Sequence, residues 1–103
     1  LVRSVHAPED LLPAARAIAR EIAENTAPVS VALSRQMLWR MLGADHPMQA
    51  HRVDSRAINS RGASDDTREG VMSFLEKRPA NFSVKVSDGL PEVFPDWQDP
   101  QFS

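Results

Sequence analysis

Apolar residues recur every three or four positions along most of the chain, which is the period of one face of an α-helix. The first such segment follows Pro8, Glu9 and Asp10, residues that suit a first helical turn. Pro13 fits only if the regular helix begins near Asp10, because proline is tolerated at the start of a helix and not in its interior. An amphipathic helix is therefore predicted, with an apolar face formed by Leu11, Ala15, Ile18 and Ile22.

A second helix is predicted from the segment that starts near Thr26. Thr26 is a candidate N-cap, Pro28 suits the first turn, and Gly43 lies just past the expected end. Its apolar positions form a wide face of six residues, which are Val29, Leu33, Met37, Leu38, Met41 and Leu42. A face this wide predicts burial on more than one side. The apolar faces of these first two helices are interpreted as core.

A third helix is predicted over residues 47–61, with Gly62 ending it. The apolar stripe of this helix is thinner and consists of Met48, Val53, Ala57 and Ile58. Trp39, in the helix before it, is interpreted as a core or interface residue. A cation–π contact with Arg35, four residues earlier on the same face, is the alternative.

A fourth helix is predicted between Ser64, a good N-cap residue, and Pro79, which cannot continue a helix. Its first turns are acidic and its end is basic, an arrangement that complements the helix dipole. The acidic residues are Asp65, Asp66 and Glu69, and the basic residues are Lys77 and Arg78. These carboxylates can be imagined as an acid/base pair, but the dipole explains them without any chemistry.

The two ends of the chain lack helical periodicity. Val2 and Val5 in "LVRSVH" favour a short strand, whose pairing partner should then lie outside this chain. Residues 83–103 contain three prolines among spaced hydrophobic residues, so this tail should form no core of its own. It is either disordered or laid in extended form across another surface. The predicted fold is mainly α, with about four helices in residues 1–82 and a Pro-rich tail in residues 83–103.

Composition narrows the class of protein. A chain of 103 residues with 42% hydrophobic and 25% charged residues is one globular unit. The absence of cysteine excludes disulfides and thiolate metal sites and favours an intracellular, cytoplasmic location. A net charge of −2 argues against a nucleic-acid partner, and no run is long enough to cross a membrane. Because the chain starts at Leu1 without a methionine, we expect it to be part of something longer.

Most candidate chemical motifs have a simpler explanation. His46 and His51 lie five residues apart, which places them roughly 140° from one another around a helix and argues against a shared metal. No glycine-flanked nucleophile and no glycine-rich phosphate loop occurs in the sequence. We therefore expect no metal site.

Phe74 and Lys77 form a pair of greater interest near the end of the fourth helix. They are three residues apart and so are neighbours on one helix face. A flat ring beside an ammonium group suits a nucleotide, since the ring packs against a base and the cation meets a phosphate. A packed phenylalanine beside a solvated helix end explains the same spacing, so spacing alone leaves both interpretations open.

The segment "REGVMSFLEKRPANF", residues 68–82, resembles the C-terminal signature of the enoyl-CoA hydratase/isomerase family, the crotonases. Members commonly end in an acidic stretch, then "EG", then "AFLEKR", then a phenylalanine after a short spacer. Upstream, "LVRSVHAPEDLLPAARAIAREIAENTAPVSVALSRQML" resembles the strand, the long helix and the proline-opened helix of that family, in the same order. The resemblance covers residues 1–82. Trp39, where smaller or charged residues are common, and the tail after Ser83 depart from the family pattern.

The resemblance implies that the chain is the C-terminal helical oligomerisation segment of a larger acyl-CoA enzyme. In the family, an N-terminal domain of ββα units carries the oxyanion-hole amides and the catalytic carboxylates, so those positions would precede Leu1. The segment itself would then contain no catalytic residue. The C-terminal helices of the family pack in trimers, often paired as hexamers. The parent enzyme would hydrate an enoyl-CoA thioester or shift its double bond, with no cofactor beyond that thioester substrate.

The resemblance also implies a ligand site. The family's C-terminal phenylalanine and lysine contact the adenine-ribose-phosphate part of coenzyme A (CoA), and they fall on Phe74 and Lys77 of this sequence. Two hypotheses compete with an acyl-CoA enzyme. One is a helical protein-interaction module without a ligand. The other is a helix-turn-helix regulator, which the negative net charge argues against.

Overall fold

The computed structural model describes residues 1–99 and 101, and helices dominate this part of the chain. Residues 1–99 and 101 contain five helices: α1 Pro8–Asn25, α2 Pro28–Met41, α3 Pro47–Gly62, α4 Asp65–Glu76 and the short α5 Val86–Gly89. No strand occurs among these described residues. The predicted mainly α fold and its four long helices are confirmed, whereas α5 was not predicted. None of the described helices is long and apolar enough to cross a membrane.

Three of the helices begin with proline, whose fixed φ angle suits the first helical position and whose missing N–H is not needed there. The prolines are Pro8, Pro28 and Pro47. Helix α1 starts two residues before Asp10, the expected start, so Pro13 lies inside the helix. Because Pro13 has no N–H, the hydrogen bond that would join it to the carbonyl of Glu9 is missing, and the helix continues without it.

Side chains cap the N-termini of two of the helices in the described part of the chain, α3 and α4. The hydroxyl of Ser64 accepts a hydrogen bond from the Thr67 amide at 3.3 Å, which confirms the predicted cap of α4. The prediction that Thr26 caps α2 is wrong, because the N-cap is Ala27 and no side chain caps that end. Thr26 Oγ1 instead donates to the carbonyl of Ile22 at 2.6 Å, within the last turn of α1.

The core lies where α2, α3 and the C-terminal tail meet. Its six buried apolar residues are Val29 and Leu33 from α2, Val53 and Ala57 from α3, and Val93 and Phe94 from the tail. In the described part of the tail, Val93 and Phe94 are buried against α2 and α3 of this same chain, Val86–Gly89 form α5, and residues 95–99 are exposed. The division of the chain near Phe82 into a helical region and a tail stays a prediction.

Several apolar residues predicted to be core are exposed. Helix α1 has no buried residue, and its Leu11, Leu12 and Ile22 lie on the surface, so the interpretation of its apolar face as core is wrong within this chain. Trp39 is also exposed and is not core. Residues 1–7 form neither helix nor strand, so the predicted strand is not observed. Exposed apolar residues grouped on one helix face are typical of surfaces that contact another protein.

Candidate functional site

The C-terminal end of α4 presents the two residues predicted to bind a ligand. Phe74 lies in the last turn of α4 with 82% of its surface exposed, and Lys77 follows the helix directly. Lys77 has a left-handed backbone with φ of 54°, the only such non-glycine residue in the described part of the chain. The interpretation of Phe74 as a packed residue is therefore wrong within this chain, and its ring is available to another molecule.

Two backbone hydrogen bonds hold this end of α4. The Lys77 amide donates to the carbonyl of Phe74 at 3.3 Å, and the Arg78 amide donates to the carbonyl of Ser73 at 3.0 Å. This is the Schellman closure of a helix, in which the left-handed position is usually glycine. A side chain at a left-handed position costs roughly 1 kcal/mol or more of backbone strain, so the surrounding contacts must compensate for it.

Arg78 supplies those contacts. Its guanidinium donates two hydrogen bonds to the carboxylate of Glu69, from Nη1 at 2.6 Å and from Nη2 at 2.9 Å, and a third from Nε to Glu76 at 2.6 Å. The Asn81 amide also donates to Glu69 at 2.7 Å. The hydrogen bonds from Arg78 and then from Asn81 lower the pKa of Glu69 from its ordinary 4.5 to about 2, and the two carboxylates raise the pKa of Arg78. Arg78 is thus a structural clamp over the turn at Lys77.

The acidic residues of α4 do not form one catalytic pair. Asp66 is buried, and its Oδ1 accepts a hydrogen bond from the Val84 amide at 3.4 Å. Its Oδ2 lies 3.7 Å from Nη2 of Arg61, which also reaches the tail through a 3.4 Å hydrogen bond from Nη1 to the carbonyl of Gly89. Glu69 is held by Arg78, as described above. The Arg61–Asp66 pair and Glu69 therefore hold segments of the backbone in place.

The histidines take separate positions. His46 Nδ1 accepts a hydrogen bond from the Met48 amide at 3.0 Å and so caps α3, a role that the sequence interpretation missed. His51 is exposed within α3. Among residues 1–99 and 101, no group of three histidine, cysteine or acidic residues is placed to hold a metal ion.

A second polar group, absent from the sequence interpretation, lies between α2 and the tail. The guanidinium of Arg40 stands over the rings of Phe94 and Trp97. Residues more than 50 positions apart make this group, and no local spacing in the sequence indicates it. The cation–π contact proposed as an alternative for Arg35 and Trp39 is not among the two found in the described chain.

The chain is therefore a helical segment that presents an aromatic residue and a lysine at a helix C-terminus with a Schellman motif.

No protein-family model matches the chain. Curated relatives from Alternaria alternata match it over 79 residues: enoyl-CoA hydratase AFT3-1 at 43% identity, enoyl-CoA hydratase ACTT3 at 42% and enoyl-CoA hydratase AKT3-2 at 40%. The match covers 77% of this chain and 26% of each relative, so the chain spans about a quarter of their length. The predicted resemblance is confirmed: the chain is similar to curated enoyl-CoA hydratases over 77% of its own length, which is consistent with a C-terminal segment of such an enzyme.

Proposed function

We propose that the chain is the C-terminal part of an acyl-CoA enzyme and forms one wall of its CoA site through Phe74 and Lys77. The observation that carries the proposal is the 43% identity to an enoyl-CoA hydratase over 79 residues. The exposed ring of Phe74 beside the left-handed Lys77 supports the placement of the site. The catalytic carboxylates and oxyanion-hole amides would be supplied by residues outside this chain.

The geometry of the α4 end suits the nucleotide half of CoA. An exposed phenylalanine offers a flat face on which adenine can stack, and an ammonium group is a point charge for a phosphate. Within the described part of the chain, Lys77 makes no ion pair, because the nearby carboxylates Glu69 and Glu76 bind Arg78 instead. The clamp therefore leaves Lys77 available while fixing the backbone from which it projects. A fixed backbone reduces the ordering cost of binding.

The reaction of the parent is proposed to be hydration of an enoyl-CoA thioester or a shift of its double bond, which corresponds to a lyase or an isomerase. An oxyanion hole would stabilise the enolate-like transition state. No cofactor beyond the thioester substrate is required. A cytoplasmic homo-oligomer, a trimer or hexamer, is part of the proposal, and the exposed apolar residues of α1 and α4 support it because they need cover.

Steady-state kinetics of the full-length protein with an enoyl-CoA substrate test the proposal. Phe74→Ala and Lys77→Ala should each raise KM by roughly tenfold, because a stacked base and a hydrogen bond to a charged phosphate each contribute on the order of 1 to 3 kcal/mol. The value of kcat should change little, since the chemistry lies elsewhere. Leu75→Ala and Lys85→Ala are the matched controls, because both residues are exposed and lie outside the proposed site. An unchanged KM in both Phe74→Ala and Lys77→Ala would contradict the proposal.

The second candidate is a helical interaction module without a ligand. The exposed leucines and isoleucine of α1 favour it, because an amphipathic helix with no buried residue is suited to docking on another protein. This candidate predicts a protein that does not respond to CoA. Light scattering together with a CoA titration separates the two functions. The module predicts a compact monomer without a CoA response, whereas the proposed CoA site predicts an oligomer with saturable binding.

A further inference from the structure

We infer that a cleft distinct from the α4 end binds a small phosphate ester in its dianionic form. The cleft has a volume of about 380 Å³ and lies between the end of α2, the first half of α3 and the tail. Its polar lining includes Arg40, Gln49, Arg52, Arg56 and Asp96. Phe74 and Lys77 do not contribute to it. Its size falls within the range of small-molecule sites, which begins at roughly 300 Å³.

The charge of the lining favours an anion. Three arginines and one aspartate line the cleft, so the lining itself has two positive charges in excess, although the chain as a whole is acidic. Asp99, which pairs with Arg40 at 3.9 Å, reduces the local excess to one. Arg52 and Arg56 are four residues apart and share one face of α3, and Gln49 precedes Arg52 on that face by three residues. Phosphate monoesters carry close to two negative charges at neutral pH. Guanidinium groups bind phosphate oxygens through paired N–H donors.

Arg40 is held in place with its hydrogen-bonding capacity largely unused. Its guanidinium carbon lies 4.5 Å from the centroid of the Phe94 ring and 5.1 Å from that of Trp97. Phe94 belongs to the core, so the cation–π contact positions Arg40 on a rigid base. Asp99 lies 3.9 Å away, too far for a hydrogen bond, and its Oδ1 already accepts one from Trp97 Nε1 at 2.7 Å. The N–H groups of Arg40 therefore remain available for an anion.

The α3 arginines have similar spare capacity. Arg56 Nη1 donates one long hydrogen bond, 3.4 Å, to the carbonyl of Val93, and a guanidinium has five N–H donors in all. Arg52 is exposed and forms no ion pair within residues 1–99 and 101. Arg52 is the best residue to test, because its replacement removes a cleft charge without breaking a contact of the fold.

Calorimetric titration of the full-length protein with inorganic phosphate and with glycerol 3-phosphate tests the inference, and glycerol serves as the uncharged control ligand. A dissociation constant of about 1 mM or tighter is expected for the phosphate ester. Arg52→Gln should weaken binding by about tenfold. Asp96→Asn removes the one carboxylate of the lining and should tighten binding severalfold, a gain that a damaged fold cannot produce. Arg35→Gln is the matched control, because it removes one exposed arginine of α2 that does not line the cleft.

Phe74→Ala and Lys77→Ala separate this cleft from the proposed CoA site, because both variants should bind glycerol 3-phosphate as the unmodified protein does. Loss of phosphate binding in Lys77→Ala would assign the anion to the α4 end and overturn the inference. The inference is also overturned if the protein does not bind phosphate or glycerol 3-phosphate, or if Arg52→Gln and Arg35→Gln weaken binding equally. A change of oligomeric mass in Arg52→Gln with phosphate affinity retained would overturn it as well, because the cleft would then be a contact between protein chains.

Discussion

Replacement of Asp66 by alanine tests how the tail is fastened to the helices. The Asp66 side chain is 2% exposed, and its partner Arg61 is 14% exposed. Asp66 accepts from the Val84 amide, and Arg61 donates to the carbonyl of Gly89, so this ion pair joins the start of α4 and the end of α3 to the tail. Removal of the Asp66 carboxylate leaves the mostly buried guanidinium of Arg61 without a counter-charge. The contacts to Val84 and Gly89 in the tail should both weaken.

The expected loss of stability for Asp66→Ala is about 3 kcal/mol, the lower end of the range for breaking a buried ion pair. The lower end applies because the contacts are long, with 3.7 Å between the charged groups and 3.4 Å to the Val84 amide. Within the described chain, Nε and Nη2 of Arg61 and Oδ2 of Asp66 also have no hydrogen-bond partner. Because three atoms of this ion pair lack hydrogen bonds, the pair is stabilising only in comparison with a variant in which one of the two partners has been removed.

Urea denaturation followed by circular dichroism measures this effect in a double-mutant cycle. The double variant Arg61→Met, Asp66→Ala should be more stable than Asp66→Ala alone, because no buried charge remains without a partner. A loss below about 0.5 kcal/mol in Asp66→Ala would contradict a buried ion pair, since it would equal a typical surface change. Additive losses in the double variant would refute it as well, because they would show that the two groups are not coupled.

Two further predictions concern the core and acid stability. Leu33→Ala should lower the free energy of unfolding by about 3 kcal/mol, because Leu33 of α2 is buried against α3 and the tail. The exposed control Leu38→Ala should change the free energy of unfolding by less than about 0.5 kcal/mol. The lowered pKa of Glu69 means that its bond to Arg78 contributes stability above pH 4.5 and loses it as the pH falls towards about 2. Unfolding measured against pH should therefore show an acid limb that is shallower in Glu69→Gln, and an unchanged limb would contradict the role of Glu69.

Local sequence signals predicted the helices well because their physical causes are local. Apolar periodicity, Pro28 in a first turn and Ser64 at an N-cap act within a few residues of the chain. Thr26 failed as a cap because α2 begins at Pro28 with Ala27 as its N-cap, so Thr26 lies one residue too early. It is instead the C-cap residue of α1, where its hydroxyl donates to the carbonyl of Ile22. Boundaries this close together are not fixed by spacing in the sequence.

The tail and the site depended on information of other kinds. Val93 and Phe94 carry no helical or strand period, and they join the core only because α2 and α3 meet some 40 to 60 residues earlier in the chain. Phe74 and Lys77 were predicted from a family motif. The left-handed backbone of Lys77 was not predicted, because glycine is the usual residue at such a position and here Arg78 and Glu69 hold a lysine there.

The central claim, that Phe74 and Lys77 contact the nucleotide part of CoA, is tested most directly by a comparison of two substrates. One is an enoyl-CoA thioester, and the other is the same acyl group on a pantetheine thioester that lacks the nucleotide. Binding energy from a remote part of a substrate is lost when that part is absent. Phe74→Ala and Lys77→Ala should lower kcat/KM by roughly tenfold for the CoA thioester and leave it unchanged for the pantetheine thioester. Equal losses on both substrates, or no loss on either, would contradict a contact with the nucleotide.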